Sequence, residues 1–175
     1  RGYNFPVPLH LLVLGRTLIL IEATVRMLDP KFSLLDVLCE RSREVMQTAR
    51  EGLEQLAQHP SDLPSMTSVR RAFHTLKGSS RMVGLKDFGE GAWTCERIYN
   101  TQLAGQGPAD PPLLEFTQWA LAYLRSWIGD IASRRLGGHD AATVAAAVQM
   151  LAQRRMDAAS TQVSDIALTI RPQVS

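Results

Sequence analysis

The chain has 175 residues, of which 45% are hydrophobic and 21% are charged, and its formal net charge is +2. This supplies apolar material for one sizeable core with an appendage. The mild charge argues against a nucleic-acid partner, because nucleic-acid binders concentrate basic residues beside stacking aromatic side chains. Only two cysteines occur, Cys39 and Cys95, and neither has partners at metal-ligand spacing. We therefore expect no metal site, no cofactor and a reducing cytoplasmic location.

The first segment, residues 1–37, is dominated by the apolar stretch "LHLLVLGRTLILIEATVRML". Arg16, Glu22 and Arg26 interrupt it, so its uninterrupted apolar run is far shorter than the roughly 20 residues that a membrane span needs. It is predicted to form a buried helix that caps or pairs with the rest of the chain, without membrane insertion. Left unpaired, such a helix would favour dimerisation. The chain begins at Arg1 rather than at a methionine, so we expect a piece of a longer protein. It shows no clear export signal, so we expect no export.

Turn signals rich in proline and glycine divide the rest into helix-sized segments. Apolar stripes predict four helices, at about 32–59, 65–82, 86–103 and 112–135. A further helix near 140–157, capped by Asp140, precedes a weakly patterned end that is interpreted as linker. No strand alternation is apparent. The predicted fold is all-α: an antiparallel four-helix bundle over residues 38–136 with an additional N-terminal helix, followed by a C-terminal helical extension or linker at 137–175.

The second bundle helix contains "HTLKGSSR", with a glycine at its centre. Glycine inside a helix costs about 1 kcal/mol relative to alanine, so Gly78 calls for a reason. Residues three, four and seven positions apart share a helix face, which predicts an exposed stripe away from the apolar one. Its members are Arg70, His74, Lys77, Gly78 and Arg81.

A local cationic field surrounds His74, because no acidic residue occurs between Asp62 and Asp87. Five basic residues lie in that interval: Arg70, Arg71, Lys77, Arg81 and Lys86. Such a field suits a phosphoryl group, and an exposed neutral imidazole is a competent nucleophile toward phosphorus. Lys77 would neutralise the transferred phosphate oxygens, and Gly78 would leave room for a partner's active site. The alternative is an ordinary solvated histidine, which the spacing alone does not exclude.

The string "RRAFHTLKGSSRMVGL" closely resembles the signature of histidine-containing phosphotransfer (HPt) domains, H-x-x-K-G followed by small residues. In addition, "KDFGEGAWTCERIYN" is similar to the third helix of HPt modules in chemotaxis-type hybrid kinases of type IV pili systems. The resemblance covers about residues 38–136. It implies that His74 is the phosphoacceptor, with Lys77 beside it, Gly78 clearing the approach, and the small residues Ser79 and Ser80 following.

In the chemotaxis-kinase branch, the resemblance further implies that a glutamate on the next helix hydrogen-bonds the far ring nitrogen of the histidine. Glu96 is at the matching position. That bond would fix the tautomer and leave the other nitrogen, Nε2, free to attack. The alternative for Glu96 is an ordinary surface glutamate. The surface expected to meet signalling partners comprises Arg70, Arg71, Gly78, Ser79 and Arg81.

The sequence shows no glycine-rich phosphate loop, no nucleotide-binding motif and no acidic cluster for magnesium. We therefore expect a phosphorelay module of two-component signalling without its own kinase domain. A histidine kinase domain would donate the phosphoryl group, and the aspartate of a response-regulator receiver domain would accept it as phosphohistidine is discharged. The alternative is a non-catalytic interaction or scaffold module that binds signalling partners and carries no phosphate.

The N-terminal segment has a resemblance of its own. "YNFPVPLHLLVLGRTLILIEATVRMLDPKFSLLDVL" is similar to the C-terminal tail of UbiB-type atypical kinases, in which an apolar helix precedes "LDPKFSLL". No kinase catalytic element accompanies it, so the resemblance implies no kinase activity. The alternative is the simple apolar helix described above.

Overall fold

Six helices make up the part of the chain that the structure describes, and no strand occurs in those residues. The computed structural model describes residues 9–28, 33–135 and 137–169. In chain order the helices are α1 (Leu9–Leu28), α2 (Leu34–Gln58), α3 (Leu63–Met82), α4 (Lys86–Ala104), α5 (Pro111–Ala132) and α6 (Ala141–Thr169). The all-α prediction is therefore confirmed.

Helices α2 to α5 form a closed four-helix bundle, in which α2 packs against α3, α3 against α4, α4 against α5 and α5 against α2. Short loops join them, so successive helices run antiparallel. Each helix turns one apolar stripe inward. The largest fully buried side chains include Leu56, Met66, Val69, Phe73, Leu76, Phe88, Tyr99, Leu113, Leu124 and Ile128. The predicted antiparallel bundle is thus the architecture of this chain.

Acidic side chains begin three of the helices by accepting a backbone N–H from the first turn. Asp62 accepts from Ser65 at 3.0 Å, and Asp110 accepts from Leu113 at 2.9 Å. Asp140 does the same for α6 through the amide of Thr143 at 2.7 Å, which confirms the predicted cap. These bonds satisfy amides that have no partner within the helix, so they set the start of each helix.

The last turn of α5 ends earlier than the predicted position 135. Arg134 adopts a left-handed backbone with φ of 56°. Its amide donates to the carbonyl of Ile131 at 3.0 Å, and the amide of Arg135 donates to the carbonyl of Asp130 at 2.8 Å. These two bonds form a Schellman motif, which ends an α-helix by satisfying its last carbonyls.

Helices α3 and α4 approach each other closely, and glycine permits the approach. A Cβ placed on Gly89 of α4 would lie 2.9 Å from Oγ of Ser80 and 3.1 Å from Cγ of Arg81, both on α3. Ser80 is buried at this contact. The missing side chain therefore fixes the separation and register of the two helices that carry the candidate site.

Helix α6 lies against α4 and α5, and it is longer than predicted. Its inner side buries Val144, Ala147 and Leu151. Residues 156–161 are helical and exposed. Since none of them joins the buried core, their sequence has no apolar stripe from which a helix could be predicted. Because neither proline nor glycine occurs between 141 and 169, the backbone hydrogen bonds continue past the contact with the bundle. Part of the stretch interpreted as linker is thus helix.

Helix α1 leaves large apolar side chains exposed, namely Val13, Ile19, Leu20, Ile21 and Met27. The expectation that this helix is buried against the bundle is therefore wrong for these five positions. The charged residues that interrupt its sequence keep it below the apolar content of a membrane span. Within the described ranges, no helix is both long and apolar enough to cross a membrane.

Candidate functional site

His74 lies near the middle of α3 and points outward, with 59% of its side chain exposed. The neighbouring Phe73 and Leu76 are fully buried in the core. Their burial anchors this turn of α3 while the imidazole stays accessible. The exposure predicted from the helix face is confirmed.

Glu96 of α4 is the acidic partner of this histidine, and only 5% of its side chain is exposed. Nδ1 of His74 lies 2.8 Å from Oε1 of Glu96. Nζ of Lys77 lies 2.6 Å from Oε2 of the same carboxylate, and Nη1 of Arg70 lies 3.9 Å from Oε1. One nearly buried carboxylate on α4 therefore gathers three basic side chains from α3.

The charge state of Glu96 determines which nitrogen of His74 is free. Burial by itself would raise the pKa of the Glu96 carboxyl, but its interactions with Lys77 and His74 outweigh burial and hold the pKa below the usual 4.5. The carboxylate is therefore ionised at neutral pH and can only accept hydrogen bonds. In the neutral imidazole, the proton consequently lies on Nδ1, and Nε2 carries the free lone pair.

Gly78 and Ser79, about one turn after His74 on α3, are small residues that do not project toward its ring. A Cβ placed on Gly78 would meet no neighbouring atom within 4 Å. Ser79 donates its hydroxyl to the carbonyl of Thr75 at 2.8 Å, which draws that side chain against its own helix. A partner can therefore approach the ring along α3 without meeting a bulky side chain.

Two of the basic residues expected to meet signalling partners lie outside the cluster around Glu96. Nη2 of Arg81 lies 2.6 Å from Oε1 of Glu90 on α4. Arg71 is exposed and forms no ion pair within the ranges given above. The structure thus brings Arg70 and Lys77 to Glu96 beside the ring and leaves Arg71 and Arg81 on the flanks.

Other chemistry is not indicated in the described part of the chain. No three His, Cys, Asp or Glu side chains there are placed to hold a metal ion. Cys39 and Cys95 are buried free thiols, and burial raises the pKa of Cys95 to about 12. A thiol that stays protonated and buried is a poor nucleophile, so neither cysteine competes with His74.

Comparison with known proteins identifies the kind of domain that carries this arrangement. The family model described as "Hpt domain" matches residues 33–169. This chain belongs to the Hpt domain family.

A relative of this Hpt domain is a chemotaxis protein. Over 131 residues, it is 28% identical to the chemotaxis protein CheA of Bacillus subtilis, a match that covers 75% of this chain and 20% of that protein. The Hpt domain therefore spans about a fifth of the relative's length.

Two solved structures share its fold. The CheA phosphotransferase domain of Thermotoga maritima superposes with a TM-score of 0.53 at 23% identity, over 55% of this chain and 92% of that domain. The phosphorylated P1 domain of CheA3, solved in complex with CheY6 from R. sphaeroides, gives a TM-score of 0.60 at 21% identity, over 69% of this chain and 96% of that one. The helical bundle described above is thus an arrangement that both of these domains share.

The three tryptophans of the Hpt domain differ in exposure. Trp127 is buried, but Trp93 and Trp119 are 39% and 36% exposed. The guanidinium groups of Arg81 and Arg97 lie 5.9 and 5.4 Å from the ring centroid of Trp93. The signal for this group in the sequence is the spacing of Trp93 and Arg97, which lie one helical turn apart.

His139, in the loop after α5, is largely buried. Only 11% of its side chain is exposed, and its Nδ1 lies 3.0 Å from Oδ2 of Asp130. The ring packs on Tyr123 at 4.8 Å and on Trp127 at 6.0 Å between centroids. The loop after α5 folds back over the aromatic side chains of that helix. Local sequence patterns do not predict this contact.

Proposed function

We propose that this Hpt domain is a phosphorelay module, in which His74 accepts a phosphoryl group from a histidine kinase domain and passes it to a receiver-domain aspartate. The observation that carries this proposal is the exposed imidazole whose Nδ1 faces a nearly buried, ionised carboxylate. An exposed surface histidine with no such partner would have no defined tautomer. Here the geometry favours the tautomer that a nucleophile needs.

In the accepting step, the lone pair on Nε2 of His74 attacks the γ-phosphorus of ATP held by the kinase. The Nε2–P bond forms as the bond from phosphorus to the bridging oxygen breaks, and ADP leaves. The proton on Nδ1 stays, so the ring becomes cationic. The Glu96 carboxylate, 2.8 Å from Nδ1, stabilises that positive charge.

In the donating step, a carboxylate oxygen of the receiver's aspartate attacks the same phosphorus. The Nε2–P bond breaks, and its electron pair returns to the ring, which restores the neutral imidazole with its proton on Nδ1. The protein's contribution is mostly positioning, since both phosphoryl partners dock on one exposed ring.

Lys77 and Arg70 have a shared role in this proposal. Both compensate the charge of Glu96 in the resting domain, at 2.6 and 3.9 Å. Lys77 retains 19% side-chain exposure and lies one turn from His74, so its flexible ammonium can turn toward phosphate oxygens once the ring is phosphorylated. Arg71, Gly78, Ser79 and Arg81 are the flanking surface that we assign to partner contact.

The setting of the domain is part of the proposal. Its resemblance to modules of chemotaxis-type kinases in type IV pili systems supports a place in such a cytoplasmic kinase. The exposed apolar side chains of α1 support dimerisation through that helix, whose segment resembles the tail of UbiB-type kinases. We assign residues 38–136 as the bundle unit and 1–37 and 137–175 as flanking segments.

The deciding experiment is incubation of the chain with a histidine kinase catalytic domain and ATP labelled at its γ-phosphate. The expected result is label that is lost in acid and retained in alkali, as for phosphohistidine, and that moves to an added receiver domain. A variant with His59 replaced by glutamine is the matched control, since His59 is an exposed histidine on a turn. A chain that binds the receiver but never takes label would instead be a scaffold module.

A further inference from the structure

Trp93 is an exposed aromatic side chain held in a defined position on the same face as His74. It lies on α4, one turn before Glu96, which contacts the histidine. Arg81 of α3, whose guanidinium lies 5.9 Å from the Trp93 ring centroid, follows His74 by seven residues, or about 10 Å along the helix. We define the α3/α4 face as Arg71, His74, Gly78, Arg81, Trp93 and Arg97. Arg81 links the stripe of α3 that carries His74 to the indole of Trp93.

Two features make Trp93 a suitable anchor for a protein partner. Arg81 is held in place by its ion pair with Glu90, and Arg97 approaches the indole from its own helix, so the ring has little freedom to lose on binding. Tryptophan and arginine are the side chains that most often contribute the energy of protein interfaces. Gly78, one turn after His74, adds no side chain to this face, and a Cβ there would meet no atom within 4 Å.

The charge of the α3/α4 face selects the partner. Arg71 and Arg97 form no ion pairs within the described ranges, and the exposed carboxylate here, that of Glu90, is paired with Arg81. A complementary partner therefore presents acidic groups around an apolar depression. The acceptor in the proposed relay is a carboxylate that works with a metal ion held by acidic residues. The donor's nucleotide phosphates, in contrast, are largely neutralised by its own metal ions and cations.

We propose that Trp93, flanked by Arg81 and Arg97, is the docking anchor for the receiver domain and contributes little to phosphorylation by the kinase. This inference rests on the proposed relay function and adds to it the residue that selects the acceptor. The receiver's acidic surface meets Arg97 and Arg71, while an apolar part of the receiver covers the indole.

The test compares Trp93→Ala with Trp119→Ala, because the two tryptophans have nearly equal exposure and Trp119 lies on α5. Binding of each unphosphorylated chain to a purified CheY-type receiver domain from the same organism is measured by titration calorimetry at low and moderate salt. Kinase labelling is measured separately. We expect Trp93→Ala to weaken receiver binding at least tenfold and Trp119→Ala to change it less than twofold, with labelling of both within twofold of the parent.

A second variant, Arg97→Gln, keeps the indole and removes one unpaired charge. It should weaken receiver binding and make the remaining affinity less dependent on salt. Unchanged binding in Trp93→Ala would overturn the proposal, as would an equal loss of kinase labelling and receiver binding. If the parent chain takes no label but binds the receiver through Trp93, the relay function is wrong and the docking site stands. If Trp93→Ala takes label and transfers it to the receiver at the parent rate, the relay function stands and the docking site is wrong.

Discussion

Nδ1 of His74 and Oε1 of Glu96 lie 2.8 Å apart, although 22 positions separate them in the chain. The contact crosses from α3 to α4, so it exists only because the two helices pack in one register. An ionised carboxylate at that nitrogen orients the ring and leaves Nε2 accessible.

Replacing His74 with glutamine should abolish phosphate acceptance and leave the fold intact. The side chain is 59% exposed and glutamine can still donate a hydrogen bond to Glu96, so the free energy of unfolding should change by no more than about 1 kcal/mol. Thermal unfolding by circular dichroism checks the fold, and labelling with kinase and ATP checks acceptance. Label that persists in this variant would assign the phosphoacceptor to another residue.

Replacing Glu96 with alanine should change the tautomer of the neutral His74 ring. With its carboxylate acceptor removed, the ring loses the interaction that holds the proton on Nδ1, and part of the population should carry it on Nε2. The ¹⁵N chemical shifts of the ring, measured at a pH where it is neutral, report the two populations. Identical shifts in the two proteins would mean that another group sets the tautomer.

The stability of the parent chain should fall more steeply in acid than that of Glu96→Gln. The folded-state pKa of Glu96 is below its unfolded value near 4.5, so its stabilising contribution is present above that pH and is lost as the pH falls through the folded value. Glutamine cannot titrate. Urea unfolding at pH 7 and pH 3 should show the larger loss in the parent, and equal losses would mean that Glu96 is not coupled to Lys77 and His74.

Replacing Gly78 with leucine should slow transfer to the receiver without unfolding α3. No neighbouring atom lies within 4 Å of the added Cβ, and leucine favours helix over glycine, so stability should hold or rise by up to about 1 kcal/mol. Gly129→Leu is the matched control, because that glycine is also helical and open but lies on α5. Equal transfer rates in both variants would refute the clearance role.

Replacing Gly89 with alanine should lower the stability of the domain, in contrast to a substitution at Gly78. The new Cβ would lie 2.9 Å from Oγ of Ser80, so the Ser80 hydroxyl must leave its hydrogen bond to the Lys77 carbonyl or the two helices must shift. Overpacking of this kind typically costs about 1–3 kcal/mol. Chemical denaturation should therefore show Gly89→Ala to be less stable than Gly78→Ala, and the ¹⁵N shifts of His74 should respond to the altered register. A stable variant with unchanged shifts would show that the contact is not tight.

Some of this architecture follows from local sequence. The apolar stripes of the bundle helices, the cap at Asp140 and the outward direction of His74 depend on residues three to four positions apart, and such spacing is visible in one chain. The proximity of Lys77 and Gly78 to His74 is equally local, since all three lie within about one turn of α3. For these features, the chain order and the helical period were sufficient.

The remaining features depend on how separate helices meet. The resemblance to HPt domains pointed to Glu96, but spacing alone could not place its carboxylate against a ring 22 positions away. The same applies to Trp93 beside Arg81, and to His139 over Trp127. The register of α3 and α4 depends on the close packing of Gly89 against Ser80 and on many other small contacts between residues distant in sequence. The sequence by itself therefore determined which face of α3 carries the histidine, whereas only the tertiary structure decided what that histidine touches.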